Sequence, residues 1–207
     1  MLNNIFADKI KYPQLIEENK NLESQQIDKE FSINIISNIT NFQLKPILEY
    51  VLRKNYLYVK VNEGEYDNIV QDSFNLKNND CVIIFWEIMN FGNNFISDYK
   101  NYSSKEKKDF IKQKKKEITL VINNLASVKL VLFNEFFLSY QVREQDSIFN
   151  ELINDLNNFL HESILENTNI LYLSKIFDNN SESDLISIPK FEKFKMPYTL
   201  DFYWGIC

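Results

Sequence analysis

A chain of 207 residues with one histidine, two cysteines and three glycines has few ways to do chemistry. Any Ser–His or Cys–His mechanism must run through His161. Cys81, His161 and Cys207 are too far apart in sequence to spell a zinc site, and no other metal set can be read. Gly64, Gly92 and Gly205 are too scattered for G-x-G-x-x-G or a phosphate-binding P-loop, where glycine lets backbone approach phosphate. What remains is a group of polar residues that follow apolar, β-branched runs: Ser37, Asn38 and Thr40, then Gly64 and Tyr66, then Glu87 and Asn90, then Asn134 and Glu135. A hydroxyl at Ser37 or Thr40 could act as nucleophile with Glu87 as base, although no carboxylate pair is spaced to dictate acid–base roles. The ordinary role of such residues is to cap the helices that follow.

The elements that must position them alternate. Phe31–Ser37 reads as a strand, followed by a helix with Leu44, Ile47, Leu48, Val51 and Leu52 at helical spacing; Pro46 is tolerable in a first turn. Leu57–Val61 is a second strand with its turn at Glu63–Tyr66, and a short helix follows from about residue 67 to residue 74. Cys81–Trp86 is a continuous apolar run, the mark of a strand buried on both faces. A long helix is expected over about residues 103–125, a strand at Val128–Phe133, a helix over 147–165 and a fifth strand at Ile170–Leu173. Strands alternating with helices imply right-handed crossovers and a parallel sheet covered on both faces. In such a sheet, ligands bind outside the carboxyl ends of the strands, which is where the polar residues fall. Residues 1–30 read as a helical extension, with short helices around Leu2–Lys11 and Gln14–Leu22. Residues 31–177 form the α/β body; 178–187 read as a mobile Asn/Ser/Asp-rich loop, and the aromatic tail after it packs back on the body.

Composition narrows the class further. The net charge of −6 argues against a general nucleic-acid binder, and 44% hydrophobic with 14% aromatic residues excludes a disordered chain. Two cysteines make no disulfide framework, which points to a reducing cytosol. No apolar run exceeds Cys81–Trp86, and Met1–Ile10 is charged where a leader would be apolar, so a cytoplasmic location without membrane contact is expected. Against the acidic background, Lys100–Glu117 carries eight lysines and three acids, either a solvated helix face or a docking strip for an acidic partner.

Ile35-Ile36-Ser37-Asn38-Ile39-Thr40, Leu44-Lys45-Pro46-Ile47-Leu48-Glu49-Tyr50, Glu63-Gly64-Glu65-Tyr66-Asp67 and Asp80–Glu87 occur in an order and spacing that resembles the N-terminal domain of FkbH-like proteins of haloacid-dehalogenase (HAD) class IIIC. The resemblance covers roughly residues 1–175 and implies an SGNH-hydrolase-like, flavodoxin-like fold: a three-layer α/β/α sandwich around five parallel strands. It also implies which residues would occupy the family's catalytic blocks. Ser37-Asn38-Ile39 would stand on the nucleophile triplet, with Ile39 where serine attacks. Gly64 would be the oxyanion-hole glycine, and Glu87 would stand near the oxyanion-hole asparagine, where a carboxylate repels an oxyanion. Asp201-Phe202-Tyr203-Trp204 would match the D-x-x-H block, with Trp204 in place of histidine. The family's D-x-D-x-T motif has no counterpart, since no two aspartates lie at i and i+2.

The expectation is therefore a non-hydrolytic SGNH-like domain, without cofactor, that binds a substrate or partner in the making of bacterial surface glycans or secondary metabolites. The resemblance implies an acyl carrier protein or a HAD-type catalytic domain as partner. The alternatives are an atypical SGNH esterase or acyltransferase, and an interaction module for a separately encoded HAD-type phosphatase half. The expected cleft gathers Ser37, Asn38, Thr40, Gly64, Tyr66, Glu87, Asn90, Asn134, Asp201 and Trp204, with His161 too far along the chain to complete a triad and Trp204 covering the apolar rim.

Overall fold

The computed structural model describes residues 9–24, 30–138, 148–178 and 180–207. Among these, five strands run parallel in one sheet: β1 Phe31–Ser37, β2 Val59–Glu63, β3 Cys81–Phe85, β4 Leu130–Asn134 and β5 Thr168–Leu171, in the order β2-β1-β3-β4-β5. Helices cover both faces, giving a three-layer α/β/α sandwich. The chain steps outward from β1 to β2, then returns across β1 to lay down β3, β4 and β5. The sheet's topological switch point therefore falls between the ends of β1 and β3.

The period of two along each strand sorts the core into halves. Ile36, Val82, Ile84, Val131 and Phe133 face α5 (Ser104–Asn124) and α6 (Ile148–Ser163), where Ile118, Val121, Phe149 and Leu152 meet them. Ile33, Ile35, Cys81, Ile83 and Phe85 face α1 (Tyr12–Glu23), α2 (Leu44–Lys54) and the C-terminal helices. Buried Arg53 on α2 ties these pieces together, donating to Asn19 Oδ1 at 2.8 Å and to the Val59 carbonyl at 2.9 Å.

Several boundaries differ from the sequence reading. The expected helix over residues 2–11 falls outside the described residues up to residue 8, and residues 9–11 are not helical. β2 starts two residues later than the apolar run, and β5 ends early because Leu173 turns inward, fully buried, to open α7 (Ser174–Phe177). A further helix, α4 (Phe95–Asn101), stands between β3 and α5, and α3 is Ile69–Ser73. The polar stretch expected to be a loop carries α8 (Glu182–Leu185), anchored by buried Leu185 and by a bridge pairing Ile186 with Tyr198. After α9 (Ile188–Phe194), α10 (Leu200–Ile206) seats Phe202 and Tyr203 in the core. Among the described residues no helix is long and apolar enough to cross a membrane.

Candidate functional site

Both strands flanking the switch point end in polar residues, and the structure ties these to one another. Asn38, leaving β1, donates its side-chain amide to the carbonyls of Glu87 at 2.8 Å and Asn90 at 3.0 Å, while its Oδ1 accepts the Glu87 backbone N–H at 2.7 Å. Asn90 answers from the other side, donating its Nδ2 to the Asn38 carbonyl and, at 2.8 Å, to the Tyr66 hydroxyl. A short 3₁₀ turn at Ile88–Asn90 brings the two amides face to face. Asn38, Glu87 and Asn90 are all buried, so each bond satisfies a group that would otherwise be stranded from water. Farther along the rim, buried Asn134 at the end of β4 clasps Trp86, accepting from its N–H at 2.7 Å.

Glu87 turns its carboxyl toward the C-terminal cover. It is 2% exposed, its Oε1 has no hydrogen-bond partner, and burial raises its pKa to about 8, with the Tyr198 hydroxyl acting in the opposite direction. The Tyr203 hydroxyl is likewise buried without a partner. Burial, and after it the Glu87 carboxylate, raise the pKa of both phenols. At neutral pH the group is a protonated carboxyl packed under two neutral tyrosines. It can donate a hydrogen bond, but a base needs an ionised carboxylate that substrate can reach.

Most of the residues expected to do chemistry are engaged elsewhere. The Ser37 hydroxyl donates to the Ile39 carbonyl and accepts the Ile39 N–H, both at 3.0 Å, closing a local turn on itself. Ile39, at the nucleophile position of the resemblance, is a buried core residue. Thr40 is held through its backbone, donating its N–H to the Lys195 carbonyl at 2.8 Å. The Gly64 N–H, implied as an oxyanion donor, bonds the Ile35 carbonyl at 2.8 Å and is not free for one. An added Cβ there would lie 2.3 Å from Asp72 Oδ2, so a larger residue would have to displace the carboxylate that accepts the Glu65 N–H at 2.8 Å.

His161 is exposed in the last turn of α6, its ring stacked on Tyr172 with centroids 6.1 Å apart. Among the described residues no hydrogen bond joins Ser37 or Thr40 to His161 or Glu87. Asp201 pairs with Lys9. Trp204 stands edge-on to Tyr50 of α2, with centroids 6.1 Å apart, while its neighbour Tyr203 points toward Glu87. Sequence spacing draws attention to Trp204; the phase of α10 turns Phe202 and Tyr203 inward instead. The structure thus gathers Ser37, Asn38, Tyr66, Glu87, Asn90 and Asn134 along the central rim, and directs Asp201 and Trp204 to other contacts. The sequence places Tyr198 and Tyr203 in the aromatic tail, and Asp67 only at the end of the Glu63–Asp67 block, with no chemical role. The signal of Asp67 is structural, a non-glycine residue in the left-handed region at φ 55°.

No family model matches the chain, and no curated protein matches it. Among solved structures it is similar to the N-terminal part of the protein BF1531 from Bacteroides fragilis, described as containing a phosphatase domain and complexed with Mg. The TM-score is 0.71 at 11% identity, over 94% of this chain. The likeness establishes a shared α/β/α fold; this chain spans 54% of the length of that one.

Proposed function

We infer that the chain is a non-hydrolytic, SGNH-like binding domain of the FkbH-like type, serving in bacterial surface-glycan or secondary-metabolite biosynthesis beside a phosphatase-type catalytic half. The carrying observation is the state of the switch point. The Ser37 hydroxyl bonds to the Ile39 backbone, Asn38 bonds to backbone, Asn90 bonds to the Asn38 carbonyl and the Tyr66 hydroxyl, and Glu87 is sealed beneath Tyr198 and Tyr203. Hydrolysis needs a free hydroxyl, a base in reach of it and donors where the oxyanion forms; here the Ser37 hydroxyl and the Gly64 N–H have other partners, and Glu87 is sealed away from Ser37 and Thr40. The solved neighbour supports the reading because its protein contains a phosphatase domain and extends well beyond the matched length. Magnesium does not fit this half: the sequence has no D-x-D, and the described residues contain no group of three or more His, Cys, Asp or Glu able to hold a metal. The lysine-rich face of α5 would receive the acidic partner, an acyl carrier protein or the catalytic half, by electrostatic steering.

The test is turnover of short-chain aryl esters by the intact chain beside a Ser37→Ala/Thr40→Ala variant. Equal, background-level rates are expected. Turnover by the wild-type chain that the double variant lacks would overturn the reading and restore the esterase.

A further inference from the structure

Beside the closed switch point lies a cavity of about 300 Å³ between α3, the end of β3 and α5. Its wall is charged and aromatic: Asp67, Trp86, Asn90, Phe91, Lys114 and Glu117. Lys114 shows what the wall accommodates. Its side chain is only 13% exposed, and its Nζ sits 4.9 Å from the Phe91 ring centroid, 5.7 Å from that of Phe110 and 5.8 Å from that of Trp86. Three rings around one ammonium is the chemistry by which proteins recognise amines. Glu117 completes the pairing, accepting from Lys114 at 2.8 Å and, through its other oxygen, from Gln113 at 2.9 Å.

Asp67 is the group left over. Lys114 and Glu117 neutralise one another, so the cavity carries one net negative charge, and it lies on Asp67. Among the described residues no hydrogen bond reaches the Asp67 carboxylate. Burial raises its pKa, opposed by Lys114 and reinforced by Glu117. Its backbone is pinned in the left-handed region, φ 55°, by an N–H bond of 3.0 Å to the Ser37 carbonyl. An exposed carboxylate on the cavity wall, held in an uncommon backbone conformation beside aromatic rings, is a preorganised counter-ion.

The geometry points to this cavity as a binding site for a small molecule bearing a protonated amine, with Asp67 as its counter-ion, Trp86 and Phe91 as its aromatic wall, and Lys114 as a built-in ammonium that limits how tightly the external one is held. The inference goes beyond the proposed function, since it concerns the flank of the sheet end and does not depend on the switch point being inert.

The experiment is an amide-resolved NMR titration of the full chain with n-propylammonium, set beside 1-propanol and propionate. Saturable shifts confined to residues 67–71, 86–91 and 113–117 are expected for the amine alone. Asp67→Asn should weaken amine binding about tenfold or more. Asparagine tolerates the left-handed region, so the backbone is kept and a folded spectrum checks it. Lys114→Met, which fills the same space without the charge, should tighten amine binding about fivefold. Equal shifts with propanol, undiminished binding by Asp67→Asn, or no gain from Lys114→Met would each overturn the inference. None of these outcomes bears on ester turnover, so the two readings fail separately.

Discussion

Two neighbouring regions at the same end of the sheet treat a carboxylate in opposite ways. At the switch point Glu87 is sealed, and its charge is avoided: without an ionic partner, burial holds it protonated up to about pH 8. Between α3 and α5, Asp67 keeps an opening to solvent and shares its surroundings with a lysine. Amides bonded to backbone and to the Tyr66 hydroxyl flank the first, whereas aromatic faces and an ammonium stand against the second. The contrast separates stability from recognition. A closed network of fixed donors and acceptors holds two strand ends in register and shuts its carboxyl away from any ligand, while an accessible carboxylate on a preorganised wall does the reverse.

The sharpest way to break the contrast is to open the closed region. Asn38→Ala removes a side chain that makes three hydrogen bonds to backbone groups of Glu87 and Asn90. Leaving buried backbone groups unpaired costs about 1–3 kcal/mol each, so a loss of about 4 kcal/mol is expected in denaturant unfolding. A loss below about 1 kcal/mol would show that water enters freely, and that the switch point is an open site after all.

The next effect has the opposite sign. The folded pKa of Glu87, about 8, lies above its ordinary value of 4.5, so the folded state holds a proton that the unfolded state releases. The group is without penalty below pH 4.5, the penalty grows as pH rises from 4.5 to about 8, and above that it is constant. At pH 7 it amounts to about 3 kcal/mol, and above pH 8 to about 5 kcal/mol. Glu87→Gln should therefore stabilise the chain by about 3 kcal/mol at pH 7 and flatten the decline in stability between pH 5 and about 8. Parallel pH–stability curves for the two chains would mean that Glu87 is ionised and hydrated in the folded state, erasing the contrast with Asp67.

How much of this was legible in the sequence follows from how local each signal is. β1 needs only its own apolar alternation, and Phe31–Ser37 is read to the residue. The gathering of Ser37, Asn38, Glu87 and Asn90 follows from parallel strands sharing an end, and the hydrogen bonds realise it. What stayed hidden depends on contacts between distant segments. α4 is short and starts from Asn94 in the left-handed region, which no periodicity announces. α8 lies in a polar stretch and is held by Leu185 and by Thr199, whose hydroxyl donates to the Asp184 carbonyl at 2.6 Å. Lys114 reads as one lysine among eight, and its distinction comes from Trp86, Phe91 and Phe110 converging on it. The oxyanion role implied for Gly64 fails for a similar reason, because only the register with β1 shows its N–H engaged by Ile35.

The smallest expected effect belongs to the residue that a triad would need most. His161 lies in the last turn of α6, and β5 and the chain beyond it lead to its aromatic neighbour, Tyr172. The ring is exposed and makes no hydrogen bond among the described residues, so its removal orphans no buried group. Exposed positions without such features change stability by at most about 0.5 kcal/mol, and His161→Ala is expected to fall within that range by chemical denaturation. The same variant should leave aryl-ester rates at the background of the wild-type chain. If His161 were the base of a concealed hydrolase, its loss would abolish turnover while stability stayed unchanged. That outcome would require α6 to bring its last turn to the ends of β1 and β3, and so would replace the closed switch point with a movable one. Unchanged stability with unchanged background turnover is what a histidine stacked on Tyr172, away from Ser37, must give.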